Sequence, residues 1–542
     1  MQSIEACYKG CDCLERKKIA ILDSTLRDGA QAEGISFSVS DKIKIVKTLD
    51  ELGVTYIEAG NPGSNPKDLE FFAQAKHMQL TNAKLCAFGS TCRVGTPPQE
   101  DANVRSLLDA DTPAVSVFGK AWDLHVTDIL KATLEQNLEI IADTIAFFKE
   151  NGKEVIFDAE HFFDGYRANR AYALACIDAA QEAGADCIVL CDTNGATFPN
   201  EIGQITGEVA ERLHTAVGIH CHNDVGVAVA NSMLAVQAGA VHVQGTMNGI
   251  GERCGNANLC TILPNLELKL GYSCLKPGKL EDITDAARYI SEIANISHDE
   301  RQPYVGSCAF AHKGGMHVDG VLKNPKTFEH IAPESVGNTR RVLISEMAGR
   351  ANLLKAIHKI NPTLDKHSSA VGKVMDQLKE LEYEGYQFEG AESSMELLIR
   401  KILGKYKPYF DLNQFKVIVS EPSGEELSSS ALIKIHVGSE ASITAAEGNG
   451  PVDALDKALR GALEHFYPQL ACVRLTDYKV RVLDSQNATG SKVRVLVESS
   501  DGVRSWSTVG VSTDIIEASW HALVDSLEYK LLLDTAGASE KK

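Results

Sequence analysis

The 542-residue chain, 44% hydrophobic and 23% charged, is too long for one hydrophobic core and has an ordinary globular make-up, so roughly three or four units are expected. Its net charge of −19, from 54 Lys and Arg against 73 Asp and Glu, gives no basic field and argues against nucleic acid or anionic lipid as a partner. No apolar run approaches the ~18 residues of a membrane span, and the first residues, MQSIEACYKGCDCLERKK, lack a signal-peptide core, so a cytoplasmic location is expected.

Residues 1–17 read as an N-terminal extension. Its Cys7, Cys11 and Cys13 have a spacing open to a soft metal, but with no second cysteine pair nearby they read as a thiol-bearing tail. From residue 18, short β-rich apolar runs alternate with amphipathic stretches. The runs are KIAILDST (18–25), TYIEAG (55–60), AKLCAFGST (83–91), AVSVFGK (114–120), EVIFDAEH (154–161), DCIVLCDT (186–193), AVGIHCHND (216–224) and AVHVQGTMNG (240–249). Helical patterns such as 40–52, 126–150 and 169–183 lie between them, with Gly at their ends in ELGVT and EAGAD. Repeated β/α units over about 250 residues predict an α/β fold, a (β/α)8 TIM barrel over 18–274, in preference to a doubly wound open sheet. Most runs turn polar or glycine-rich at their C-terminal ends, where such barrels carry their sites. Cysteines within strands (Cys86, Cys187, Cys191) read as reduced, apolar filler.

Residues 275–405 read as helical linker and lid subdomains, broken by ISHDERQPYVG, APESVGNTRR and HKINPTLDKHS, with 336–353 a candidate lid segment. A final α+β domain is expected over 406–535. A polar stretch at 420–430 precedes two strand-like runs and a helix, and the plan then repeats with an extra strand. Gly448, Asn449 and Gly450 precede Pro451 at one helix start, where exposed N–H groups can hold a carboxylate; Ser512 lies at the corresponding start in the second half.

Residues two apart on a strand share a face, so His220 and His222 aim into the barrel while Cys221 faces the helices. Strand closure brings Asp28, at the end of the first run, to the same point. Asn256, in the glycine-bracketed GIGERCGNANL, is a fourth oxygen ligand candidate. This N/O set leaves room for substrate and suits Mg2+ or Mn2+ as well as Zn2+. Arg27, beside Asp28, is placed to stabilise an oxyanion, and Gln31, Glu160 and Thr193 are further polar strand ends, Glu160 being a candidate to orient Arg27 or a water.

LDSTLRDGAQ, EAGNPGS, HCHNDVGVAVANSMLAVQAGA and GTMNGIGERCGNANL resemble the metal-dependent Claisen-condensing barrels that include 2-isopropylmalate, homocitrate and citramalate synthases, with 3-hydroxy-3-methylglutaryl-CoA lyase more distant. VSVFGKAWDLHV, AFAHKGGMHVDGVLKNP and LEYEGYQFEGAESSMELL are most similar to the long-form citramalate branch, which joins acetyl-CoA to pyruvate. The resemblance implies a divalent ion on Asp28, His220 and His222, with Asn256 adjacent or coordinating. It also implies that Arg27 polarises the 2-oxo acid in a pocket lined by Gln31, Glu160 and Thr193. His317 is implied as base or relay with Asp319 orienting it, and His312 is the runner-up; Phe328 stands where many relatives have a tyrosine. It further implies a homodimer and a C-terminal domain resembling the regulatory domain of 2-isopropylmalate synthases, for which isoleucine is the expected inhibitor. Phe118, Trp122 or Phe163 would favour pyruvate over 2-oxoisovalerate or 2-oxoglutarate if they faced the pocket. A non-catalytic amino-acid sensor is the alternative from another class.

Overall fold

The computed structural model describes residues 16–342, 350–365, 368–388, 390–420, 428–483, 490–502 and 504–539. Cys7, Cys11, Cys13 and the middle of the 336–353 segment lie outside the described residues. The chain divides into two compact units, Met1–Phe310 with Glu329–Arg340, and Ala311–Phe328 with Arg341–Lys542.

In the first unit eight parallel strands close into a barrel: β1 (Ala20–Asp23), β2 (Tyr56–Glu58), β3 (Lys84–Ser90), β4 (Ala114–Lys120), β5 (Glu154–Glu160), β6 (Cys187–Asp192), β7 (Ala216–Cys221) and β8 (His242–Gly245). β1 closes the ring by pairing with β2 and with β8, Leu22 opposite Tyr56 and Asp23 opposite Gly245. The period-2 alternation sorts the side chains. On β6, Ile188 and Leu190 join the cluster packed under the helices, whereas Val189 and Cys191 fill the barrel with Leu22, Cys86 and Ile156. The described cysteines are free thiols.

Local chemistry sets the helix ends. Ser38 and Asp41 form a reciprocal capping box at the start of Val39–Leu52, and Gly53 ends that helix in the left-handed conformation (φ 93°). The barrel's apolar cluster continues beyond residue 274 through Ile283, Ala287 and Ile290 of the helix Ile283–Ile293 and on to Val336.

The second unit begins with the short parallel pair β9 (Ala311–His312) and β10 (Arg341–Val342) and includes the helices Gly315–Lys323, Arg350–Ile360, Ser369–Glu384 and Glu392–Ile402. Two antiparallel three-stranded sheets follow. β11 (Asp411–Ser420), β12 (Ser428–Val437) and β13 (Glu440–Gly448) precede the helix Pro451–Glu464; β14 (Arg474–Val482), β15 (Val493–Ser500) and β16 (Ser505–Ser512) precede the helix Ile515–Ser539. Both halves thus have three strands. β11 lies ahead of the polar stretch taken as the boundary, and its register shift between Leu412 and Gln414 interrupts the alternation that would have revealed it. Ile433, Leu459, Val497 and Leu523 put both halves into one core. No described helix is long and apolar enough to cross a membrane.

Candidate active site

Asp28, His220 and His222 converge at the C-terminal mouth of the barrel, all three buried, with their ligand atoms within 4.8 Å of one another. The carboxylate comes from the turn after β1 and the imidazoles from the end of β7, while Cys221 between them joins the outer cluster. Oδ2 of Asp28 lies 3.6 Å from Nε2 of His220 and 3.7 Å from Nε2 of His222. These gaps are too long for hydrogen bonds and close to the spacing of two ligands around one ion at about 2.0–2.2 Å. Asn256 is set beside His222 by a backbone bridge and donates from Nδ2 to Oδ1 of Asp28 at 2.9 Å, while its own Oδ1 is buried with no hydrogen-bond partner among the described residues. The donor set therefore fits a divalent cation. The turn around it requires glycine: a Cβ on Gly251 would fall 2.1 Å from Nδ2 of Asn256, and Gly255 has φ 89° with Gly249 O 2.1 Å from where a Cβ would sit.

Electrostatics favour the forms in which these groups could hold a cation. Burial pushes His222 down to about 4 and lowers His220, so both imidazoles are neutral near pH 7. Burial works against ionised Asp28, yet Arg27, the two histidines and Asn256 together hold it below the usual carboxylate range.

Arg27 donates from Nη1 to Asp28 at 2.9 Å and from Nε to Oε2 of Glu58 at 2.6 Å, with its guanidinium 3.8 Å over the ring of Phe88. Glu58, wholly buried at the end of β2, also accepts from Ser24 Oγ. Of the two expectations for Glu160, orienting Arg27 is corrected: Glu160 forms an ion pair with Lys120, and Arg27 is held by Glu58. The reason is topological, since β2 adjoins β1 whereas β5 lies across the ring.

Gln31, Glu160 and Thr193 line the same cavity of about 230 Å3, together with Phe88, Phe118 and Arg253. Thr193 Oγ1 accepts from the N–H of His161 at 2.9 Å and its carbonyl accepts from Arg253 at 2.7 Å. Of the three bulky candidates, Phe118 faces the cavity; Trp122 stacks on His125 at 5.1 Å and Phe163 is buried in the outer core. The sequence reading missed Glu58, Asp158, Gln244 and Lys120. Each sits on a barrel strand at or near its C-terminal end, a position visible in the sequence, but its partners are set by strand closure.

His317 and Asp319 belong to the second unit. His317, on the exposed side of the helix Gly315–Lys323, stacks on Phe328 with centroids 4.1 Å apart. Asp319 accepts from Lys323 at 2.6 Å and not from His317, because residues two apart on a helix do not face each other; its expected orienting role is corrected on that ground. His312 is buried at the end of β9. In the C-terminal domain the Asn449 N–H donates to Asp453 at 2.9 Å, so one of the N–H groups at that helix start is already held by a carboxylate of the chain. Gly448 abuts Ala454, and Gly450 caps the helix before Pro451. Ser512 donates to Glu517 at 2.5 Å and accepts from the Asp514 N–H.

The profile described as HMGL-like matches residues 18–290, half of the chain and all of the barrel. The chain belongs to the HMGL-like family. The same comparison matches residues 304–385 to the description homocitrate synthase post-HMGL domain-like and 389–531 to the LeuA allosteric (dimerisation) domain. Within the HMGL-like family the chain is 53% identical to the (R)-citramalate synthase of Aquifex aeolicus, covering 96% of this chain and 98% of the relative. It is 51% identical to that of Geobacter sulfurreducens, over 95% and 97%. A probable 2-isopropylmalate synthase of Methanopyrus kandleri is 32% identical over 94% and 97%. Among solved structures, the Bacillus subtilis HMG-CoA lyase is 21% identical with a TM-score of 0.45, over 53% of this chain and 97% of its own.

Proposed function

We propose that this HMGL-like protein condenses acetyl-CoA with pyruvate and water to give citramalate and CoA. What carries the reading is the cluster of Asp28, His220 and His222 beside Arg27 in a chain 53% identical, nearly end to end, to an (R)-citramalate synthase. Asp28, His220 and His222, with Asn256 as the fourth candidate, would hold a divalent cation, Mn2+ or Mg2+ by the hardness of the set and Zn2+ by its imidazoles. When bound, such an ion supplies Lewis-acid polarisation of a 2-oxo acid.

The remaining work falls to the chain. Arg27, held by Glu58, presents a fixed positive charge to the oxyanion that develops on the ketone oxygen. Gln31 and Thr193 supply polar contacts to the acid, and Phe88 and Phe118 exclude water and bulk from its methyl side. Glu160, paired with Lys120, lies at the cavity wall to orient a water or the thioester. For removal of the acetyl methyl proton we propose His317, whose accepting lone pair does not depend on Asp319. We further propose a homodimer and inhibition by isoleucine, with Gly448, Asn449, Gly450 and Ser512 at the effector site.

The test is CoA thiol release from acetyl-CoA with Mn2+ or Mg2+, run separately with pyruvate, 2-oxoisovalerate and 2-oxoglutarate. Release confined to pyruvate is expected. Preference for 2-oxoisovalerate would move the protein to 2-isopropylmalate synthesis, and silence with all three would favour the sensor. Truncation near residue 410 is expected to abolish isoleucine sensitivity; retained sensitivity would remove the C-terminal assignment.

A further inference from the structure

We propose that Gln244 and Asp158 are positioning residues that fix the tautomer and aim of His220 through a hydrogen-bonded chain running across the barrel interior. The inference rests on the reading of Asp28, His220 and His222 as a metal site. The chain has four members on four strands. Ser116 Oγ on β4 lies 2.6 Å from Oδ2 of Asp158 on β5; Oδ1 of Asp158 accepts from Nε2 of Gln244 on β8 at 2.8 Å; and Oε1 of Gln244 lies 2.9 Å from Nδ1 of His220 on β7. Ser116 and Gln244 are fully buried, and Asp158 and His220 nearly so.

The direction of the chain follows from what each group can donate. Burial raises the Asp158 carboxyl, and Ser116 and Gln244 both donate to it, Ser116 to Oδ2 and Gln244 to Oδ1, so the Gln244 amide turns its NH2 toward Asp158 and its carbonyl toward His220. That carbonyl only accepts, so Nδ1 of His220 carries the proton. Nε2 is left with its lone pair, and Nε2 is the atom that faces Asp28. A free imidazole has no such preference enforced on it. His222 marks the contrast, because its buried Nδ1 has no hydrogen-bond partner among the described residues. The cost of burying an amide and a carboxyl group inside the barrel is met by these bonds, which a purely space-filling role would not require.

The experiment uses the full-length, metal-stripped chain and Mn2+ alone as the probe, with free Mn2+ followed by electron paramagnetic resonance. Gln244→Leu is expected to weaken Mn2+ binding by about 10–100-fold, the usual cost of losing the hydrogen-bond partner of a metal-bound histidine. Asp158→Leu should weaken it as well. Asp158→Asn, whose Oδ1 still accepts from Gln244, should bind within about threefold of the parent by the same logic. Leucine variants that fold and bind as the parent does would overturn the proposal, as would equal losses in Asp158→Asn and Asp158→Leu. The second measurement needs no variant: 15N-histidine NMR of the metal-free parent, with His220 assigned by a conservative His220→Gln sample. A proton on Nδ1 supports the chain and a proton on Nε2 overturns it, whether or not the leucine variants fold. A parent that binds no Mn2+ counts against the metal-site reading, and the tautomer still decides the hydrogen-bonded chain.

Discussion

Glu58 holds Arg27 at 2.6 Å, Oε2 to Nε, so a wholly buried carboxylate on one strand aims a guanidinium rooted in the loop after its neighbour. Glu58→Ala removes that aim without touching the metal ligands. We expect kcat to fall by about 10²–10³, the usual loss for one aligned oxyanion donor, with a smaller change in KM. Arg27→Lys should fare no better, since Nε and Nη1 are both engaged and an ammonium cannot span the two carboxylates. Steady-state CoA release decides, and a Glu58→Ala enzyme with unchanged kcat would contradict the role.

Metal affinity should be nearly independent of pH between 8 and 7. An ion must displace protons from its ligands, but burial has already lowered His222 to about 4 and Asp28 lies below the normal carboxylate range. Affinity is expected to weaken in acid, as His220, also lowered by burial, and His222 take up protons. Mn2+ titrations across this range test it, and a tenfold loss from pH 8 to 7 would refute it. EDTA should abolish condensation, and Asp28→Asn should not be restored by added Mn2+.

His242 gives a stability prediction away from the ligands. Burial lowers it to about 4, and its Nε2 has no hydrogen-bond partner among the described residues. Because the folded value lies below the unfolded one, its stabilising share is complete above about pH 6.5 and is lost as pH falls toward 4. Asp23, raised by burial to about 7, acts in the opposite sense, so the informative quantity is the difference from a variant. Relative to His242→Gln, the parent's thermal midpoint should drop more steeply between pH 6.5 and 4.5. Parallel curves would show that His242 does not titrate on unfolding.

Lys42 and Asp68 form a buried ion pair that anchors the loop after β2. Lys42 Nζ also donates to Ala59 O at 2.8 Å, and the Asn61 N–H donates to Asp68 at 2.8 Å. Removing one partner strands the other charge, so Asp68→Ala should cost about 3–5 kcal/mol. Lys42→Met combined with Asp68→Leu should recover much of that loss. Denaturant unfolding measures both, and a double variant no better than Asp68→Ala would point to the Asn61 bond as the main contribution.

The eight barrel strands were legible because fully buried runs of Val, Ile and Leu between capped helices carry a strong periodic signal, as in DCIVLCDT preceded by the helix end EAGAD. His220, His222 and Asp28 were legible because two imidazoles at spacing two have few structural uses at a strand end. Glu58 was not singled out, since one acid at the end of a three-residue strand resembles a solvated loop carboxylate until β2 is known to adjoin β1. Gln244 was hidden for a related reason: its meaning depends on Asp158 and His220, which lie 86 and 24 residues away. Asp319 misled in the opposite direction, because helical geometry turned it toward Lys323. Patterns within one element are local and survive in sequence, whereas partners between strands exist only after closure.

That closure has a consequence for the birth of the protein. Asp28 and Asn256 are bonded across 228 residues of chain, and β1 finds its last neighbour only when β8 has been made. During synthesis the first-made ligand therefore waits for the last, and a ribosome-bound fragment ending before residue 256 has no complete seat for a cation. On the proposed reading, cation binding would mark a finished barrel, and an interrupted or proteolysed nascent chain would lack part of the site.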